Sequence, residues 1–338
     1  MIKVNMISET EFTVKGHGVH TAYIEITDAL KQNPKVQVEV NSNSGKYDIV
    51  HIQTMGFYAI RKLLKSGPKK VVSAHLVPDS FLGSIRWAEK WRWAAEIYLK
   101  WFYSKADLVL ACSGSVRQEL TEDMQLKNVD VLYNSIDMSR YHRTQTDQIN
   151  ARDTLGIHPN QIVVMGNGQL QPRKRFDLFH KMALLRPDIQ FIWVGGIPFG
   201  SLLGADAAKM KQLVDTAPPN LKVTGIIDLA EVRQYYHAAD IFTLPAEQEN
   251  HPMCVLEAAG TGLPIVLRDI TNYQDTFLGG AVMAKTDEDF LVEIDRLAAD
   301  AAYRSLWSQK SEMIKDRFDS KNSAERLINF YEQLLATN

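Results

Sequence analysis

Two carboxylates, Glu249 and Glu257, stand eight positions apart where a predicted helix begins. The first follows an apolar strand, and the second lies about two helical turns further on, roughly on the same side. Pro252 suits the first helical turn, where the N–H that proline lacks would have no partner. The N–H groups of Met253 and Cys254 then point out of the helix N-terminus, which favours an anion. Such a site suits a ligand with both hydroxyls and phosphate, such as a nucleotide sugar.

Cations and glycines follow two of the other predicted strands. Arg173-Lys174-Arg175 comes after a strand and a short loop, where the cations can neutralise a diphosphate leaving group; a solvated basic loop is the alternative. Gly16 and Gly18 come between the first strand and the first helix, where glycines let the backbone approach a pyrophosphate, although a plain turn has the same pattern. The third glycine of a dinucleotide fingerprint is absent, which argues against an NAD-type site.

Two further motifs contain residue types that can bind ligands. His75 ends a predicted strand, where its ring can bond to a substrate hydroxyl; the competing interpretation is a structural histidine. Asp287-Glu288-Asp289 has the D-x-D pattern of a metal site, but it opens a predicted helix, where acids favour the N-terminal dipole. We therefore expect no metal and no cofactor.

The predicted helix 81–104 has an aromatic stripe that is expected to pack in the core. Its second flank combines cations with apolar side chains: Arg86, Lys90, Trp93, Ile97 and Lys100. A helix that lies in a bilayer interface needs this combination, and each cation adds about 1 kcal/mol at an anionic membrane. The flank therefore predicts membrane contact, with an ordinary exposed surface as the alternative.

Composition limits the class of protein. The chain has 338 residues, of which 45% are hydrophobic and 23% charged, so it is long enough for two cores and is not a disordered chain. Two cysteines in unrelated segments exclude a disulfide framework, and a reducing compartment is expected. We expect neither a signal peptide nor a membrane span. Residues 61–105 have ten Lys and Arg against three Asp and Glu, which favours an anionic surface as partner, with a solvated basic face as the alternative. No nucleic-acid partner is expected.

Alternating strands and helices must position these residues. In the first half we predict strands at 2–7, 36–41, 48–52, 70–75, 107–112 and 129–133, with helices near 18–32, 55–65, 81–104 and 114–123. In the second half we predict strands at 162–167, 189–194, 221–224, 240–244, 263–267 and 281–284, with helices near 175–185, 205–215, 229–237, 253–261, 287–299 and 301–335. This alternation is typical of α/β domains with parallel sheets, whose ligands bind beyond the carboxyl ends of the strands.

The predicted organisation is two Rossmann-like domains that face each other across a cleft. We assign residues 1–145 to an acceptor and membrane-facing domain and residues 150–315 to a nucleotide-sugar domain. A linker with the polar run 143–148 joins them. The C-terminal helix, 316–338, is expected to pack back toward the first domain.

The chain resembles a family 4 glycosyltransferase with the GT-B fold over nearly its whole length. The resemblance rests on the E-x7-E element at Glu249 and Glu257 with the segment that follows it, and on segment 236–245. Arg173-Lys174 and the first-domain glycine loop also match. E-x7-E in this setting is a specific signal, whereas the glycine loop alone is not.

The resemblance implies transfer of a hexose from a nucleotide sugar with retention at the anomeric carbon. Arg173 and Lys174, with the N–H groups of Met253 and Cys254, would hold the diphosphate. Gly16 and Gly18 would let the first domain approach the phosphates. Glu257 would bind the ribose, Glu249 and His75 the donor sugar, and the backbone at Gly225 and Ile226 the base. The resemblance implies that the catalytic residues are Glu249, Lys174, Arg173 and His75.

One departure from the family pattern is Gln169, where the family often has an arginine. Its loss removes one cation, for which Arg173 is expected to compensate. The Gly-Gln variant with the following Arg-Lys resembles the bacterial branch that builds glycosyl-diacylglycerols, and the opening segment 8–18 resembles the enzymes of that branch that add a second hexose to monoglucosyl-diacylglycerol. That resemblance implies a UDP-hexose donor, with UDP-galactose favoured over UDP-glucose, a glycolipid acceptor and a peripheral location on the cytoplasmic face of the membrane. The alternatives are a soluble sugar or polysaccharide acceptor, and a non-catalytic nucleotide-sugar or membrane-binding protein.

Overall fold

The computed structural model describes residues 1–12, 18–81, 88–197 and 206–337. Within these ranges twelve strands form two parallel sheets of six strands each. The strands are β1 Ile2–Ile7, β2 Val36–Val40, β3 Ile49–Ile52, β4 Lys69–Ala74, β5 Leu108–Ala111, β6 Val129–Val131, β7 Val163–Asn167, β8 Gln190–Val194, β9 Leu221–Val223, β10 Ile241–Leu244, β11 Ile265–Arg268 and β12 Val282–Ala284. The orders are β2-β1-β3-β4-β5-β6 and β12-β11-β10-β7-β8-β9. The predicted α/β architecture is therefore confirmed.

Helices connect the strands in both halves of the chain. They are α1 Gly18–Lys31, α2 Phe57–Leu63, α3 Ala88–Tyr103, α4 Gly114–Gln118, α5 Gln145–Leu155, α6 Phe176–Leu185, α7 Ala207–Asp215, α8 Leu229–Ala238, α9 Met253–Thr261, α10 Asp287–Ala299, α11 Ala301–Arg317 and α12 Ser320–Ala336. A π-helical turn, Glu119–Asp123, extends α4. These positions follow the sequence pattern closely, since most strands are short buried runs between amphipathic helices.

Helix α9 is the element that the E-x7-E motif predicted. All nine of its residues are buried, as expected for a helix that is apolar on every side. Pro252 is its N-cap, and Gly262 ends it in the left-handed conformation at φ 77°. The helix therefore holds Glu257 at a fixed position relative to the second sheet, and Glu249 lies in the loop between β10 and the helix.

Two predicted features were wrong. No helix was predicted in the linker near 135–150, but α5 begins there at Gln145, where Thr144 and Asp147 form a capping box. The single helix predicted over 301–335 is two helices, because the chain breaks at Phe318 and Asp319 to pair with Ile136. The second helix, α12, packs its Leu327, Ile328 and Tyr331 into the core of the first sheet.

Candidate active site

Three charged side chains meet at the carboxyl end of β7. Lys174 Nζ and an Arg173 guanidinium nitrogen both lie 2.5 Å from Oε1 of Glu249. Lys174 and Glu249 are almost fully buried. Burial alone would raise the pKa of Glu249, but the two cations outweigh it and hold the pKa below its usual range. The cluster therefore keeps an ionised carboxylate between two cations that an anionic ligand can approach.

The loop after β7 sets the position of Lys174. Lys174 is the last residue of the short 3-10 turn Pro172–Lys174. The next residue, Arg175, adopts a left-handed conformation at φ 55°. A Cβ on Gly168 would lie 3.3 Å from Cε of Lys174, and one on Gly195 would lie 2.1 Å from the Gly168 carbonyl oxygen. Both glycines therefore permit a backbone approach that a side chain would block.

The third cation of the run 173–175, Arg175, pairs with acids other than Glu249. Arg175 pairs with Glu247 at 2.5 Å, with Asp177 at 3.1 Å and with Asp287 at 2.6 Å. Asp287 is the first acid of the D-x-D triplet, whose position at the start of a helix is confirmed. In the described ranges no group of three His, Cys, Asp or Glu side chains is placed to hold a metal ion.

The first residues of two helices from different domains lie close together. Gly18 begins α1 in the first domain and Met253 begins α9 in the second. A Cβ on Gly18 would lie 4.0 Å from the Met253 side chain. The first N–H groups of each helix have no intrahelical acceptor, so both helix ends favour negative charge in the same cleft.

Glu257 lies deeper in the second domain. Its carboxylate accepts hydrogen bonds from the hydroxyls of Tyr236 at 2.7 Å and Tyr141 at 3.3 Å, and from the Asn167 amide at 3.3 Å. Burial raises its pKa to about 7, although these three hydrogen bonds oppose the shift. The two motif carboxylates thus differ: Glu249 is ionised beside cations, and Glu257 titrates near neutrality.

His75 lies on the first-domain side of the cleft and is held at two points. Its Nε2 lies 3.0 Å from Oε1 of Gln53. Its backbone carbonyl accepts a hydrogen bond of 3.0 Å from Asn250, the residue next to Glu249. The sequence-predicted residues His75 and Glu249 are therefore brought to the same cleft from different domains.

Ile226 lies at the other end of the second-domain cleft. It follows Gly225, which has a φ of 71°, and its side chain is 67% exposed. A Cβ on Gly196 would lie 2.9 Å from the Ile226 backbone nitrogen. Ile226 is therefore an exposed residue packed at its backbone against the loop after β8, where the resemblance places the base.

Family models and relatives match the chain along its length. The model described as Glycosyltransferase Family 4 matches residues 13–140, and the model described as Glycosyl transferases group 1 matches residues 159–302. The chain is 28% identical to the alpha-galactosylglucosyldiacylglycerol synthase of Streptococcus pneumoniae, over 99% of this chain and 90% of that protein. It is 28% identical to the processive diacylglycerol alpha-glucosyltransferase of Acholeplasma laidlawii, over 94% of this chain and 92% of that one.

The chain belongs to the family 4 glycosyltransferases. As a member it is a hexosyltransferase, so the prediction of an enzyme is confirmed.

Solved structures agree on the fold of this glycosyltransferase. Anabaena HepE has a TM-score of 0.77 at 17% identity, over 98% of this chain and all of that one. Sucrose-phosphate synthase from Thermosynechococcus elongatus has a TM-score of 0.82 at 16% identity, with both chains fully covered. The predicted GT-B fold is confirmed.

The predicted membrane flank of this glycosyltransferase lies on α3. Trp93 and Ile97 are 65% and 62% exposed, and Lys90 and Lys100 are exposed beside them. Arg86, like Gly16 of the glycine loop, lies outside the described residues. Among the described residues no helix is both long enough and apolar enough to span a bilayer. Cys112 and Cys254 are free and buried.

Sequence reasoning missed several residues that contact the site. Tyr141, Tyr236 and Asn167 surround Glu257. Tyr236 lies in the segment that carries the family resemblance, so it had a usable signal. Asp275 accepts a hydrogen bond of 2.7 Å from the Gly114 N–H at the start of α4, across 161 residues. Such a long-range contact has no local sequence pattern.

Proposed function

We propose that this hexosyltransferase transfers a hexose from a UDP-sugar to α-monoglucosyl-diacylglycerol, with retention, on the cytoplasmic face of the membrane. The product is a diglycosyl-diacylglycerol of the kind that anchors lipoteichoic acid. The observation that carries the proposal is the Lys174–Arg173–Glu249 cluster, with the start of α9 four residues after Glu249.

The cluster supports a nucleoside diphosphate sugar as donor. The diphosphate would take Lys174 and Arg173 as counter-charges, with the α9 N-terminus beside them. Glu249 would then be released to accept hydrogen bonds from the sugar hydroxyls. The partly exposed Gly225 and the exposed Ile226 support a place for the base. We expect the donor to be bound without a metal, since the cations of the chain neutralise the diphosphate.

Positioning and charge stabilisation would supply most of the rate enhancement. As the bond from the anomeric carbon to the diphosphate oxygen breaks, Lys174 and Arg173 stabilise the negative charge on the leaving group. We propose front-side attack, in which the acceptor hydroxyl gives its proton to the leaving phosphate oxygen and bonds to the same face of the sugar. A covalent glycosyl-enzyme trapped at Glu249 would refute this mechanism.

The acceptor class is supported by the similarity to two enzymes named for glycosyl-diacylglycerol synthesis. A lipid acceptor requires the first domain to reach a membrane. The exposed Trp93 and Ile97 on α3, with Lys90 and Lys100 beside them, support a peripheral contact with an anionic surface.

A donor and acceptor panel tests the proposal. Purified protein is incubated with UDP-galactose or UDP-glucose and vesicles that contain α-monoglucosyl-diacylglycerol, and the lipid product is identified by mass spectrometry. We expect a dihexosyl lipid with an α linkage by NMR, and faster turnover with UDP-galactose. Lys181→Ala, an exposed lysine on α6, serves as the matched control for Lys174→Ala.

Two results would contradict the proposal, the first its acceptor and the second its stereochemistry. Transfer to soluble oligosaccharide with no labelled lipid supports the alternative of a soluble sugar or polysaccharide acceptor. A β linkage in the lipid product contradicts retention, because the donor sugar is α-linked to UDP. The non-catalytic alternative does not agree with membership of the hexosyltransferase family.

A further inference from the structure

A buried chain of polar groups crosses the first domain from the C-terminal helix to the cleft. The Tyr331 hydroxyl of α12 lies 2.6 Å from Nδ1 of His51 on β3. The two rings meet edge to face at 5.8 Å, and both are fully buried. A polar chain in a core is stable only when its members are paired, so its geometry is fixed by the packing around it.

The amide of Gln53 continues the chain to the cleft. Its Nε2 lies 3.1 Å from Nε2 of His51 and 3.4 Å from the thioether sulfur of Met6. Its Oε1 lies 3.0 Å from Nε2 of His75. A thioether sulfur accepts but does not donate, so the NH₂ side of the amide faces Met6 and His51 and the oxygen faces His75.

This orientation fixes the protons on both histidines. Burial lowers the pKa of His51 to about 3, so its ring is neutral at pH 7. The amide nitrogen donates to Nε2 of His51, which leaves the ring proton on Nδ1, toward Tyr331. The amide oxygen accepts only, so Nε2 of His75 must donate to it. A neutral His75 ring is therefore held as the tautomer with its proton on Nε2.

We propose that Gln53 is a positioning residue for hexose transfer, which fixes the ring orientation and tautomer of His75 and is itself held by His51 and Tyr331. The C-terminal helix thereby supports the catalytic cleft through the core of the first domain. This inference rests on the proposed contact of His75 with the donor sugar.

A double-mutant cycle tests the proposal. Gln53→Met keeps the side-chain volume but removes the amide contacts with His51, His75 and the Met6 sulfur. In the wild-type background we expect kcat to fall about five- to tenfold, as for loss of one hydrogen bond that orients a reacting group. In the His75→Ala background we expect a change below about twofold, because nothing remains to be oriented. The inhibition constant of UDP, which lacks the sugar, is expected to stay unchanged.

NMR of the protein with ¹⁵N-labelled histidine gives a second readout. Wild type is expected to show His75 protonated on Nε2, and Gln53→Met a mixture of tautomers. Tyr331→Phe, which keeps the packed ring, is expected to shift the His75 signals in the same direction by a smaller amount. Gln190→Met on β8 is the matched control for a glutamine replacement and is expected to leave kcat and the His75 signals unchanged.

Equal losses of kcat from Gln53→Met in the two backgrounds would overturn the proposal, because a purely structural role predicts that result. An unchanged kcat in the wild-type background, or unchanged His75 signals, would overturn it too. These outcomes are independent of the proposed function, since the identity of the lipid product is measured separately in the acceptor panel.

Discussion

Asn250 donates a hydrogen bond to the backbone carbonyl of His75 across the cleft, at a distance of 3.0 Å. The same amide lies 3.1 Å from the Ser80 hydroxyl. Because Asn250 is adjacent to Glu249 in the chain, these bonds connect the carboxylate cluster of the second domain directly to the first domain. The distance between His75 and the cations is thus fixed when the two domains are closed.

We expect Asn250→Ala to weaken the closed arrangement. Loss of two partly buried hydrogen bonds costs about 1–2 kcal/mol, so kcat/KM should fall by about tenfold. Steady-state kinetics and small-angle scattering with UDP measure the effect, and we expect a larger radius of gyration. Asn150→Ala, at an exposed position on α5, is the control. Wild-type kinetics and dimensions in Asn250→Ala would show that the contact does not control closure.

Replacement of Lys174 and of Glu257 should separate turnover from nucleotide binding. Lys174→Ala removes a cation from the leaving diphosphate and is expected to lower kcat by about 100-fold. Glu257→Ala is expected to weaken UDP binding by about tenfold, with a smaller effect on kcat. Calorimetry with UDP and initial-rate kinetics measure the two effects. An unchanged kcat in Lys174→Ala would contradict its assignment to the leaving group.

The pH dependence of stability should reveal the burial of Glu257. The pKa of Glu257 is raised from 4.5 to about 7, so between these two pH values the folded state keeps a proton that the unfolded state has lost. Its contribution to stability is therefore complete below pH 4.5 and is lost as the pH rises through 7, by about 3 kcal/mol. We expect Glu257→Gln to remove this loss.

Urea unfolding at pH 5 and pH 7.5 measures that difference. Glu119 also has a pKa raised by burial to about 7, so wild type contains a second contribution of the same sign. For this reason the comparison is between wild type and Glu257→Gln, with exposed Glu288→Gln as control. The same pH slope in wild type and Glu257→Gln would show that Glu257 titrates in its ordinary range.

The site could be predicted where chemistry and local pattern coincide. Glu249, Glu257 and Lys174 lie next to short apolar strands, so the carboxyl ends of a parallel sheet place them in one cleft. The chain break at Phe318 was missed because pairing with Ile136 joins segments far apart in sequence. Asp319 nevertheless carried a local signal, since its side chain caps α12 through the Lys321 N–H.

Helix α5 was missed for a different physical reason. Its hydrophobic face is weak, and polar side chains add to the apolar contacts that Ala151 and Leu155 make with the second-domain core. Arg152 donates to the Ala238 carbonyl at 3.1 Å and pairs with Asp240 at 2.5 Å. Arg143, just before the helix, donates to the Ala239 carbonyl at 2.6 Å. Hydrophobic periodicity cannot detect a helix held in this way.

Membrane contact through α3 gives the last prediction. Trp93→Ser with Ile97→Ser removes two exposed apolar side chains, each of which gains about 1.5–3 kcal/mol on full burial. If these side chains insert even partly into the membrane, the double variant should bind vesicles with anionic lipid at least about tenfold more weakly than wild type, as measured by sedimentation. Val292→Ser with Met313→Ser is a matched control, because these second-domain side chains are 61% and 59% exposed.

Lys90→Gln with Lys100→Gln should reduce the preference for anionic over neutral vesicles, by about 1 kcal/mol for each cation. Equal binding of wild type to both vesicle types would remove the electrostatic part of the contact.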